Sequence, residues 1–153
     1  MRRGNLYKYA QSLGCNKIAL GHHFDDVVET ILMGMLYGAQ VQTMMPRIKS
    51  SNFDGMELIR PMYYIREKDI ISWRNYNKLE FLQCACRFTE QNANADGTGT
   101  SKRQEIKNLI KEMKKVNPQV DINIFRSVER VNLSTIIGYY NEDEEHNFLE
   151  KFH

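Results

Sequence analysis

Within ten residues, Gly21-His22-His23-Phe24-Asp25-Asp26-Val27-Val28-Glu29-Thr30 brings together two histidines, three carboxylates, a hydroxyl and a glycine. The segment follows the short apolar run Lys17-Ile18-Ala19-Leu20 and leads into an amphipathic stretch, so it lies where a strand ends and a helix begins. Ligands of α/β folds bind at that position. Gly21, lacking a Cβ, lets the backbone approach a ligand closely, and the amino end of a helix presents N–H groups to an anion. Two carboxylates beside a phosphate would repel it unless a divalent cation lay between them. Asp25 and Asp26 therefore suggest a Mg²⁺-nucleotide rather than a bare phosphate.

Other chemistries and a purely structural role compete for the same residues. Asp26 with Glu29 three positions on fits a capping box with Asp in place of Ser, a role compatible with catalysis. His22 and His23 could join the cysteines around zinc, but adjacent residues point apart and the separations lack zinc-site spacing. A phosphohydrolase of the His-Asp type needs its histidine directly before the aspartate, and Phe24 intervenes.

The elements that must position this segment can be read from periodicity and punctuation. Leu6, Tyr9, Ala10 and Leu13 at helical spacing, followed by Gly14, predict a helix over 3–13 with a glycine C-cap. Lys17–Leu20 reads as a buried parallel strand, and Val27, Val28, Ile31, Leu32, Met35 and Leu36 form one face of a helix that stops near Gly38. A loop with a short hairpin arm is expected over 39–56, then a strand at 56–60 closed by Pro61, a helix from Glu67 to Asn77 and a strand at 79–83. Alternating strands and helices predict an α/β fold: a partial Rossmann-like parallel sheet with helices, followed by a helical carboxy-terminal segment. The Gly- and Asn-rich stretch up to Ser101 reads as a linker. Residues 1–90, 91–101 and 102–153 are thus expected to be a main unit, a flexible connection and a helical segment. The last carries a basic amphipathic helix at 102–115, a helix at 119–131 and an acidic tail around Asn141–Glu145.

Gly21-His22-His23-x-Asp25-Asp26-x-x-Glu29-Thr30 resembles the second signature of the PP-loop ATP pyrophosphatases. Leu58-Ile59-Arg60-Pro61-Met62 ahead of Glu67-Lys68-Asp69-Ile70 resembles the next block of that family. Arg2-Arg3-Gly4, Tyr37-Gly38 and Arg66–Ile70 favour the tRNA 2-thiocytidine branch, and the resemblance covers roughly residues 1–90. It implies that the complete enzyme uses ATP and Mg²⁺ to adenylate a cytidine carbonyl oxygen in the tRNA anticodon loop, after which sulfur displaces AMP. Asp25 and Asp26 would be the catalytic and magnesium-holding pair, with Gly21, His22, His23 and Asp25 around the nucleotide.

The family's phosphate loop, a Ser-Gly-Gly-x-Asp-Ser type sequence, does not occur in these 153 residues. The expectation is a carboxy-terminal portion of such an enzyme, inactive alone. A non-catalytic RNA- or partner-binding module and one half of a split enzyme are the alternatives. The resemblance also implies a [4Fe-4S] cluster with one later cysteine ligand. Cys84-Ala85-Cys86 lies at that place with one intervening residue rather than two, so either Cys84 or Cys86 could be the ligand, and a plain reduced thiol pair is the competing reading. Cys15 reads as a packing residue.

Composition narrows the classes further. With 42% hydrophobic and 26% charged residues the chain has ordinary globular character. No run approaches the ~18 apolar residues of a membrane span, and three cysteines give no disulfide framework, so a cytoplasmic protein without membrane contact is expected. The net charge of +2 does not itself imply nucleic acid, although the basic stretch 102–115 could meet phosphates. tRNA, a sulfur-donor system and a second copy of the chain are the expected partners.

Overall fold

Helix and strand alternate from the start because the apolar pattern changes period at glycine-marked breaks. The computed structural model describes residues 2–81, 102–141 and 144–152. Helix α1 (Arg2–Ser12) ends in a Schellman-type turn: Gly14 takes φ +72°, the Cys15 N–H donates to the Ala10 carbonyl at 2.9 Å, and the Gly14 N–H donates to Gln11 at 2.9 Å. The turn delivers the chain into β1 (Lys17–Ala19), and a four-residue loop leads on to helix α2 (Phe24–Gly38).

The expected hairpin arm is present as β2 (Arg47–Lys49), antiparallel to β3 (Glu57–Ile59). β3 also runs parallel to β1, with Lys17, Ile18 and Ala19 opposite Glu57, Leu58 and Ile59, so the sheet order is β1-β3-β2. Helix α3 (Glu67–Tyr76) follows. Leu79–Phe81 adopt no strand, and the remainder of the strand expected at 79–83 lies outside the described residues, as do Cys84, Cys86 and the whole of the 91–101 linker.

Helices α4 (Lys102–Val116) and α5 (Val120–Glu129) pack on α2 and on each other. Val27 and Ile31 are 0% exposed, and with Phe24, Val28, Tyr63 and Phe125 they form a core that joins the two ends of the chain. Phe125 of α5 supplies the aromatic contact, its ring 5.1 Å from Phe24 and 6.0 Å from Tyr63. Beyond α5, where the sequence suggested only an acidic tail, the chain forms an antiparallel pair, β4 (Gly138–Asn141) with β5 (Glu144–Asn147), and a closing 3-10 turn. Stacking of Tyr139 on His146, 4.8 Å between centroids, is the cross-strand contact that a scan for acidic residues overlooks.

Candidate nucleotide and metal site

Because β1 and β3 are parallel, their carboxyl ends point the same way, and the loops that leave them meet. The Leu20 N–H donates to the Ile59 carbonyl at 2.9 Å, and Arg60 Nε donates to His22 Nδ1 at 3.3 Å. One step further on, the Phe24 N–H donates to the Ile65 carbonyl at 2.9 Å and the Glu67 N–H donates to Asp25 Oδ2 at 2.8 Å. Two segments separated by about forty residues are thus stitched into one rim. A Cβ at Gly21 would meet only Met62 Cε, at 3.5 Å, so the loop leaves open space on that side.

The capping box lies one turn earlier than the Asp26–Glu29 pair read from the sequence. His23 is the N-cap: its N–H donates to Asp26 Oδ2 at 3.1 Å, and its Nδ1 accepts the Asp26 N–H at 3.4 Å. The imidazole nitrogen does what a Ser or Asn oxygen usually does, and Asp26, at the third helical position, reaches back as the box requires. This arrangement changes the expected anion site. The N–H groups of Phe24, Asp26 and Val27 all find acceptors inside the protein, so the amino end of α2 is largely satisfied already.

Asp25 and Asp26 point to different neighbours. Asp25 caps the first turn of α3 and lines a cleft of about 340 Å³, whereas Asp26 faces its own helix start and lies 3.8 Å from Arg103. The His23 ring lies near both carboxylates, 3.8 Å from Asp25 and 3.4 Å from Asp26. Glu29, 2% exposed, points into the protein toward α4, with Arg103 Nε at 3.0 Å and Lys107 Nζ at 3.6 Å. Burial outweighs these two cations and pushes its carboxyl up to about 7. Across the cleft, Asp121 is equally buried. Its burial pulls the other way from its hydrogen bonds with Arg66, Lys114 and the Ile122 N–H, and the bonds prevail, holding the carboxyl down at about 2.

Arg60, Arg66, Arg103, Lys107 and Asp121 are the members of this constellation that sequence reasoning did not single out. Arg103 and Lys107 carried a signal, being four apart on a basic amphipathic helix, and Arg60 and Arg66 sit inside the quoted motif blocks. Asp121 carried none.

The donor set suits a hard divalent cation. Mg²⁺ takes one or two carboxylates and completes its shell with water and phosphate oxygens. Asp25 and Asp26, with side chains 32% and 17% exposed, can supply such oxygens. Among the described residues no three His, Cys, Asp or Glu side chains converge as an all-protein metal cage would.

Strand-end loops, a motif helix and a carboxylate rim give an α/β architecture with a candidate site at the carboxyl ends of its parallel strands. Residues 1–113 match the PP-loop domain family, and the chain belongs to it. It is similar to the tRNA-cytidine(32) 2-sulfurtransferase of Coxiella burnetii, 35% identical over 139 residues, covering 91% of this chain and 51% of that protein. The protein of the same name from Geobacter sulfurreducens is 37% identical over 131 residues, covering 86% of this chain and 48% of its own length. The chain therefore spans about half the length of these curated relatives. Its fold is also that of a U34-tRNA thiolase from Methanococcus maripaludis, solved with its [4Fe-4S] cluster: TM-score 0.62 at 22% identity, over 92% of this chain and 44% of that one. No helix among the described residues is long and apolar enough to cross a membrane.

Proposed function

We propose that these 153 residues are the carboxy-terminal portion of an ATP-dependent tRNA sulfurtransferase that 2-thiolates a cytidine of the anticodon loop. The observation that carries this reading is the placement of Asp25 at the mouth of a cleft, on a motif helix held against the carboxyl ends of parallel strands, in a chain of the PP-loop family. The names of the relatives supply the substrate class.

In this reading the cytidine carbonyl oxygen attacks the α-phosphorus of ATP and pyrophosphate leaves. Sulfur from a donor system then attacks the activated carbon, and AMP departs with the oxygen. Mg²⁺, held by Asp25 and Asp26, would neutralise charge on the phosphates. Gly21, His22 and His23 form the nucleotide's edge, with His23 holding Asp26 through the capping box and the Glu67 N–H holding Asp25. The phosphate loop is supplied from outside these residues, since the satisfied N–H groups of α2 leave little for a triphosphate. A [4Fe-4S] cluster on Cys84 or Cys86, a cytoplasmic location and a homodimer belong to the same proposal, as does division of the chain at 91–101 between the ATPase part and the helical segment.

The test is thiolation of tRNA, measured by mass spectrometry of nucleosides, in a protein that carries the phosphate loop together with this chain. Asp25→Asn and Asp26→Asn should each abolish it while the protein stays folded. Normal activity per folded molecule in either variant would reduce that carboxylate to a helix cap.

A further inference from the structure

We infer that Asp121 is a positioning residue for Asp25, acting from α5 through Arg66 and the first turn of α3. The inference rests on the proposed role of Asp25.

Asp121 is 2% exposed, and a carboxylate that deep persists only when its lone pairs are filled. Arg66 Nη1 and Lys114 Nζ both lie 2.5 Å from Oδ2, and the Ile122 N–H donates to Oδ1 at 2.8 Å. Arg66 is held a second way, with its guanidinium 4.8 Å above the Phe24 ring. The residue so fixed is the N-cap of α3, and its side chain makes no cap hydrogen bond. The backbone on either side of Arg66 does the gripping: the Ile65 carbonyl takes the Phe24 N–H, and the Glu67 N–H donates to Asp25.

Residues 65–67 therefore form a clamp on the first two residues of the motif helix, and Asp121 holds the clamp from behind. A planar guanidinium fixed on two sides transmits position where a lysine would swivel. Asp121 lies beyond the stretch matched by the family, so α5 contributes support to a motif that ends ninety residues earlier. Lys114 shares the same carboxylate oxygen from α4, the helix whose Lys107 Nζ lies 3.5 Å from the Glu67 carboxylate.

Of the two side-chain partners of this carboxylate, Arg66 is the one that lies between the backbone groups gripping α2, and this permits a clean separation. Amide hydrogen exchange is followed by NMR in the 153-residue chain, with the Glu67 N–H compared against those of Val27 and Ile31 at the core of α2. Asp121→Asn and Arg66→Lys should each speed Glu67 exchange about tenfold or more beyond any change in the α2 amides, the signature of local rather than global opening. Lys114→Met should move all of them together and leave the ratio unchanged. An Asp121→Asn variant that loses protection evenly, or a Lys114→Met variant with the same excess at Glu67, overturns the inference. If Asp121→Asn does not fold, Arg66→Lys decides, since unchanged Glu67 protection there is equally fatal. In the thiolating protein, Asp121→Asn should lower kcat while KM for ATP stays within about twofold, because the lost group orients rather than binds. Should Asp25→Asn keep full activity, the proposed catalytic role of Asp25 fails, whereas excess exchange at Glu67 would still establish the clamp.

Discussion

Glu29 and Asp121 are carboxylates of equal burial whose surroundings drive them apart. For Glu29 burial dominates the cations Arg103 and Lys107 and raises the carboxyl from 4.5 to about 7. For Asp121 the bonds from Arg66 and Lys114 overcome burial and depress it from 3.8 to about 2. The signs follow by linkage. Between pH 4.5 and 7 the folded chain binds more protons at Glu29 than the unfolded chain does, so this group's contribution to stability falls as pH rises through that window. Glu29→Gln should flatten the decline, by roughly 2–3 kcal/mol between pH 4.5 and 7.5, in urea titrations at a series of pH values. Asp121 acts in the opposite sense: its stabilisation is present above pH 3.8 and is lost as pH falls through about 2. Acid unfolding that begins in that lower range and shifts upward in Asp121→Asn is the expected outcome.

At the scale of elements, α2 is the member on which the others depend. Ile31, 0% exposed at the centre of its buried face, should cost about 2–5 kcal/mol when cut to Ala, whereas Leu36→Ala, at 56% exposure, should stay within about 0.5 kcal/mol by chemical denaturation. The carboxyl end of the same helix offers a less obvious pair. Ala39 adopts φ 51°, a left-handed conformation that glycine occupies without strain, so Ala39→Gly should stabilise by about 0.5–1 kcal/mol. Gly34→Ala should do the reverse despite alanine's higher helix propensity. Its Cβ would stand 2.9 Å from the Gln40 carbonyl oxygen, and backbone rather than a mobile side chain would have to yield. Thermal midpoints of the two variants moving in opposite directions would check both.

At the scale of the molecule, two exposed features share one consequence. Among the described residues β1 pairs with β3 on one side only, and its Ile18 is buried while Lys17 and Ala19 are exposed. Next to it, α1 shows Leu6, Tyr9 and Leu13 at 47%, 66% and 62% exposure. An unpaired edge beside an uncovered apolar helix invites another chain, so the 153-residue chain should self-associate at tens of micromolar, through β1 or by exchange of α1. Sedimentation showing a monomer with cooperative unfolding would contradict this. The same chain should bind Mg-ATP weakly or not at all, because the first-turn N–H groups of α2 are occupied internally. A micromolar dissociation constant by calorimetry would mean that residues 21–30 suffice.

What the sequence determined by itself was local. The strand-loop-helix unit around Gly21–Thr30, the hairpin arm, α3, α4 and α5 follow from apolar period and glycine breaks, signals carried by residues a few positions apart. The motif was legible for the same reason. Pairing across the chain was decided only in three dimensions. That Glu29 faces Arg103, that Asp25 is taken by the Glu67 N–H, and that Asp121 stands behind Arg66 depend on how α4 and α5 settle on α2. The position of the capping box was decided there as well, since an imidazole could become an N-cap only once the loop had turned its Nδ1 toward the Asp26 N–H. Periodicity shows that a helix has an apolar face; it does not show what covers that face. α1 therefore reads as a packed helix from its sequence and stands exposed in the structure, because burial is a property of two surfaces and the sequence pattern describes one.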